Sequence, residues 1–198
     1  MSVFPTTVAL ADMTITSLEP TQVSTTHSLK RQVRSRGGQR WAIRGSYAPL
    51  DRTQAAELYA FGVAQRGQFG TFTIVPPAIS TPLGSANGTP LVTGNHSAGE
   101  TAIDVDGWTA NQSSALKPGD YIKFTHDKVY LVTNTVASNY AGVSIVNIHP
   151  ALTTALANND AVTVHNVPFT VAFASDQRDL SAVAAGTFGY EISLVEVV

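Results

Sequence analysis

The strongest constraint on this chain is a two-residue rhythm. Met13-Thr14-Ile15-Thr16, Trp41-Ala42-Ile43-Arg44-Gly45-Ser46-Tyr47 and Phe72-Thr73-Ile74 each alternate apolar with polar or small residues. The pattern returns in Ile103-Asp104-Val105, Tyr121 to Phe124, Val129 to Val132, Val143 to Ile148, Phe169 to Phe173 and Phe188 to Leu194. Successive side chains of a strand point to opposite faces, so runs of this kind specify half-buried strands. Phe188, Tyr190, Ile192 and Leu194 share one face of the last run. Burying each such side chain contributes roughly 1.5–3 kcal/mol, which predicts a strand well inside the fold.

One segment breaks the rhythm. Asp51 has the chemistry of a helix N-cap, and Gln54 three residues on completes a capping box. Ala55, Leu58, Tyr59, Phe61 and Gly62 then follow helical spacing, and Gly67 suits the left-handed position after a helix. The expectation is a helix over residues 51–66, about 20 Å long, lying on one sheet face.

Pro76-Pro77 opens a stretch to Gly99 rich in Pro, Gly, Ser, Thr and Asn, which is turn chemistry. Charge shifts at the same place. Residues 1–79 hold eight basic and four acidic residues, 80–165 three and six, and 166–198 one and four. A second punctuation, Asn166-Val167-Pro168, precedes the final strands. The expected fold is therefore mainly β: a β-sandwich core with one helix, made from residues 1–79 and 166–198, interrupted by a small β-barrel or sandwich module over 80–165. Charged residues make up only 13% of the chain, against about 25% in typical domains. A surface so rich in neutral polar groups suits a subunit packed against others.

The residues that carry chemistry are scattered. There is no cysteine, and His27, His96, His126, His149 and His165 show no metal-ligating spacing. No metal and no cofactor are expected. Asn95-His96-Ser97-Ala98-Gly99 lacks the first glycine of a nucleophile elbow. Asp104-Val105-Asp106-Gly107 begins like a calcium loop without its closing Glu, and reads as a surface turn. Gly84 to Thr89 has no Lys-Ser/Thr after it, so it is not a phosphate loop. Asp104, Asp106, Asp120 and Asp127 read as solvated turn acids, and nothing selects a catalytic pair among them. Trp108 and Tyr140, with other aromatics of the insert, are candidates for sugar stacking, which makes a host-surface glycan a possible ligand; core packing is the competing reading. No apolar run reaches the roughly 18 residues of a membrane span. Met1 to Thr7 lacks a basic and an apolar leader region, predicting a chain made and kept in the cytosol.

The one concentrated electrostatic feature is basic. Lys30, Arg31, Arg34, Arg36, Arg40, Arg44 and Arg52 are seven of the twelve basic residues and lie within 23 positions. Ser28 to Gln39, with Gly37-Gly38 read as its tip, is expected to be a long hairpin or loop. Arginines suit bidentate pairing with carboxylates at a protein interface, a solvated basic loop being the competing reading. Without interleaved aromatics, and with net charge −2, nucleic-acid recognition is not expected.

Gly37-Gly38-Gln39-Arg40-Trp41, the capped segment Asp51 to Ala64, and Arg66-Gly67-Gln68-Phe69-Gly70-Thr71-Phe72 together resemble the distal tail proteins of siphophage-like bacteriophage particles. Gly88-Thr89-Pro90-Leu91-Val92, Asp106-Gly107-Trp108, Lys117-Pro118-Gly119-Asp120-Tyr121-Ile122 and Val129-Tyr130-Leu131-Val132 are similar to segments of phage tail-tip proteins. The closing Phe188 to Glu196 fits a final core strand. The resemblance implies an architectural virion protein at the tail tip, assembled in the host cytoplasm. It implies a hexameric ring of β-sandwich cores between the tail tube protein and the hub, bearing peripheral modules, and no catalytic residues. On that reading Lys30, Arg31, Arg34, Arg36 and Arg40 would meet a neighbouring subunit or the tube, against acids such as Asp176, Asp179, Glu191 and Glu196. Some members carry sugar-binding modules, so the alternative is a carbohydrate-binding module acting through the insert.

Overall fold

The computed structural model describes residues 2–182 and 186–198. The chain is mainly β, with several sheets and a single α-helix among the described residues, in keeping with a β-sandwich class. It divides into a split unit, residues 1–72 with 171–197, and an inserted unit, residues 73–170. The sequence boundaries, 79/80 and 165/166, each fall a few residues inside the inserted unit. The reason is local: the strands that carry the chain across end before Pro76 and begin after Pro168.

The split unit begins with β1 (Ser2–Val3), β2 (Leu10–Leu18), β3 (Thr21–Thr25), β4 (Arg31–Ser35) and β5 (Arg40–Tyr47), followed by α1 (Arg52–Ala64) and β6 (Thr71–Ile74). The inserted unit supplies β7 (Gly88–Val92), β8 (Ala102–Trp108), β9 (Tyr121–Lys123), β10 (Val129–Val132) and β11 (Ser144–His149). The chain closes with β12 (Phe169–Phe173), β13 (Ser181–Ala182), β14 (Phe188–Gly189) and β15 (Glu191–Glu196).

A six-stranded sheet runs in the order β1-β6-β12-β15-β5-β2. Register follows the alternation: Ile43 pairs with Ile15 on one side and Leu194 on the other, which stacks apolar side chains on one face. That face is buried, with Trp41, Ile43, Ile192 and Leu194 all at 3% exposure or less. The last alternating run is interrupted at Tyr190. Phe188 belongs to β14, is only half-buried, and bridges to Leu50, whereas Tyr190, Ile192 and Leu194 enter the core.

The helix forms as its cap predicts. Gln54 N–H donates to Asp51 Oδ1 at 2.8 Å, and Asp51 N–H donates to Gln54 Oε1 at 3.2 Å. It ends at Ala64, slightly before the expected 66, because Arg66 and Gly67 both take positive φ and turn the chain away. Its buried side places Phe61 in a ring chain, edge-on to Phe4 at 5.3 Å and to Phe72 at 5.2 Å, with Phe72 against Phe173 at 5.1 Å. Gly62 leaves room for the Tyr190 hydroxyl, which an added Cβ would approach to 2.5 Å unless the ring shifted. Glu196 is fully buried, and its Oε2 accepts the Trp41 N–H at 3.1 Å.

In the inserted unit a five-stranded sheet runs β7-β8-β11-β10-β9. Its two edge strands are bridged by one segment: Ala161 pairs with Leu91 of β7, and Thr163 pairs with Lys123 of β9. Lys123 and Thr163 exchange backbone hydrogen bonds at 3.0 and 2.7 Å, and Val162 N–H donates to Pro90 O at 3.1 Å. The sheet thereby curls toward a barrel in which parts of both outer strands are covered. Val92, Ile103, Val105, Ile122, Tyr130, Val132, Val146 and Val162 fill it as one buried cluster.

Candidate subunit interface

The basic segment is a projecting arm. β2 and β5 are partners in the sheet, and beyond them the chain continues as the separate β3–β4 hairpin. Gln22 pairs with Arg34, Val23 with Val33, and Thr25 with Arg31. The turn is Thr26 to Lys30, closed by Thr26 N–H donating to Lys30 O at 3.1 Å and Leu29 N–H to Thr26 O at 2.9 Å. Gly37-Gly38 therefore lies at the root of the arm, not at its tip; both glycines take φ near +70° where β4 hands the chain to β5. The turn needs no glycine because Leu29 itself accepts a positive φ of 61°.

All ten strand residues of the arm are exposed. Cross-strand partners share a face, so Val23, Val33, Thr25 and Arg31 lie on one side, and Gln22, Arg34, Ser24 and Gln32 on the other. Lys30, Arg31, Arg34, Arg36 and Arg40 are all exposed, and none forms an ion pair among the described residues. Arg40 and Arg44 stand on the sheet face opposite Trp41 and Ile43, as strand alternation dictates. Three apolar residues that the charge pattern does not flag complete the surface: Leu29 is 84% exposed, Val33 52% and Val23 51%. The alternation Gln22-Val23-Ser24 and Gln32-Val33-Arg34 is their sequence signal.

The acids expected to face these arginines divide. Asp179 and Glu191 are exposed. Asp176 is partly committed, because its Oδ1 accepts the Gln68 N–H at 3.1 Å. Glu196 is a correction: it is buried and holds the Trp41 amide, so it offers nothing to a partner.

Several polar residues of the inserted unit prove to be structural. Asp104 and Asp106 lie on β8 rather than in a turn. Asp120, read as a solvated turn acid, is buried and caps its loop, accepting Leu83 N–H at 2.7 Å and Lys117 N–H at 2.8 Å. Asp127 pairs with Lys123 at 3.1 Å and accepts the Thr170 hydroxyl at 2.9 Å; the Lys123 and Thr170 hydrogen bonds hold its carboxyl below the usual range. His96 sits in a bridge to Leu156 with Nδ1 2.7 Å from Glu100, whose carboxyl is lowered by the Ser97 amide and by His96. Burial pushes the His126 imidazole down, with Lys123 acting in the same direction, and its Nε2 lies 2.7 Å from the Tyr130 hydroxyl. Among the described residues no group of three His, Asp or Glu is arranged to hold a metal. No helix of the described chain is long and apolar enough to cross a membrane.

The sugar-stacking pair does not form a platform. Trp108 is 5% exposed and belongs to the barrel core, so it presents no face to a sugar, while Tyr140 is 85% exposed. Burial wins because the indole adds a large apolar area to the buried cluster of the inserted unit. Comparison with protein-family models and with curated proteins finds no match.

Proposed function

We propose that this chain is a structural subunit of a bacteriophage tail tip, a distal tail ring joining the tail tube to the tail-tip hub and scaffolding host-adhesion parts. The observation that carries the reading is the β3–β4 arm. A two-stranded hairpin alone is marginally stable in water, and this one exposes every strand residue, three apolar side chains and unpaired arginines. Such a surface becomes stable when a partner covers it. The two outermost strands of the split sheet, β1 and β2, supply a second motive for assembly, because unpaired strand edges invite pairing with another chain. The resemblance of the 37–41 and 51–72 segments to distal tail proteins supplies the identity of the assembly. Split and inserted units then take the roles of ring former and peripheral module.

Native mass spectrometry and negative-stain microscopy of the purified chain test this. The expected result is a closed ring of six copies with a central lumen, found at the tail tip of intact particles. A monomer at every concentration, missing from virions, would overturn the reading.

A further inference from the structure

The split unit carries, besides the arm, a cleft of about 740 Å³. Its walls come from β2, β5, β15 and the 175–181 segment, and they bear Asp12, Asp179 and Glu191 on one side of the charge balance and Arg44 and Arg178 on the other. Arg178 is already engaged. Its guanidinium lies 3.6 Å from the Phe173 ring centroid, and its terminal nitrogens donate to the carbonyls of Gln177 and Ser175. The side chains of Asp12, Asp179 and Glu191 are exposed and take part in no hydrogen bond or ion pair among the described residues. Asp179 acts electrostatically on Arg178, yet the three acids outnumber the two arginines of the cleft, and no ion pair joins them to the arm's arginines among the described residues.

We propose that the arm of one copy docks into this cleft on the next copy, with Lys30, Arg31 and Arg34 pairing with Asp12, Asp179 and Glu191. The inference rests on the ring reading above and gives it a mechanism. Strands of five residues reach about 17 Å from the sheet, so the tip is carried clear of its own root. Exposed ion pairs are individually weak; the contact therefore also needs Leu29, Val23 and Val33 to be covered, as docking achieves. An arm on one surface and a cleft on another make a head-to-tail contact, the kind that generates rings when the rotation closes. At the root, Gly37-Gly38 takes the positive φ that turns the chain from the arm into β5, and Arg36 N–H donates to Pro20 O at 2.9 Å.

The absence of native cysteine allows a direct test by disulfide trapping. A Leu29→Cys, Gln177→Cys double variant is oxidised beside a Leu29→Cys, Thr135→Cys control whose second cysteine sits on the inserted unit. The expected result is a covalent ladder ending at the ring number for the first and no ladder for the second. In parallel, Arg31→Glu with Arg34→Glu should weaken assembly at least about tenfold. Adding Asp179→Lys and Glu191→Lys should restore it. A ring that forms without arm–cleft crosslinks, or a reversal that the cleft lysines do not rescue, overturns the docking while leaving the ring reading intact. Failure of the unsubstituted chain to form a ring overturns both.

Discussion

The inserted and split units meet the same physical problem, the unpaired strand edge, in opposite ways. In the inserted unit residues 161–163 bridge β7 and β9, so each outer strand of the sheet finds a partner within the same chain along part of its length. In the split unit β1 and β2 stay outermost, and the β3–β4 arm stands with both faces in solvent. The first pairs its edges within its own chain; the second leaves outer strands and an exposed hairpin that the proposed ring would cover. Ladder groups left unpaired on an exposed edge carry no penalty while water reaches them, but they remain a template for another chain. The proposed assembly therefore draws on the split unit, where the exposed edges and arm lie.

Each unit contains one of the chain's two tryptophans, Trp41 in the split unit and Trp108 in the barrel, both buried. Fluorescence in single-tryptophan backgrounds thus follows the units separately. The largest expected effect is from Phe72→Ala, which opens the ring chain between Phe4, Phe61 and Phe173 and should cost about 3–5 kcal/mol. The Trp41 transition should fall while that of Trp108 holds; equal shifts of both would dissolve the distinction between the units. Next comes Thr163→Pro, which removes the amide donating to Lys123 O and should cost the barrel about 1–3 kcal/mol. Hydrogen exchange should then rise along β7 and β9; unchanged protection there would mean that the closing segment contributes nothing.

A smaller effect is alkaline. Burial raises the phenols of Tyr47 and Tyr190, whose rings are 6.2 Å apart in the split unit, and that of Tyr121 in the barrel. A raised phenol binds its proton more tightly folded than unfolded. Its contribution is complete below the unfolded value near 10 and fades as pH climbs toward the native one, by at most about 1.4 kcal/mol per pH unit for each. With two such groups against one, the Trp41 transition should lose more than that of Trp108 above pH 10, and Tyr47→Phe should flatten its slope. The smallest stability change is expected on replacing residues 21–35 by Gly-Gly. Arg36 N–H already donates to Pro20 O at 2.9 Å, so the cut ends are adjacent. The split unit should lose less than about 1 kcal/mol, yet assembly should disappear. A ring that survives the deletion would move the interface to the open sheet edges.

Much of the secondary structure was readable from residue spacing alone. The capping box at Asp51 and Gln54 marks the helix start because both partners lie within one turn, and the bounds of β5, β11 and β12 match their runs to within a residue, although β12 is buried on both faces rather than half-buried. The arm's turn was misread because Gly37-Gly38 is the stronger local signal, whereas Leu29 supplies the positive φ without any. Asp120 and Glu196 look like solvent acids in a sequence. Their burial depends on amides brought from Leu83 and Trp41, which lie 37 and 155 positions away.

By itself the sequence determined the strand rhythm, the capped helix, the Pro-rich punctuation of the insert and the clustering of arginines. Each is an interaction among neighbours along the chain, or a rule of backbone sterics that needs no tertiary partner. Only the folded structure decided that residues 161–163 bridge β7 and β9, that Trp108 turns inward, and that Asp12, Asp179 and Glu191 share one cleft. These join segments far apart in sequence, and their free energy comes from pairing and burial that exist only once the long loops between them have closed.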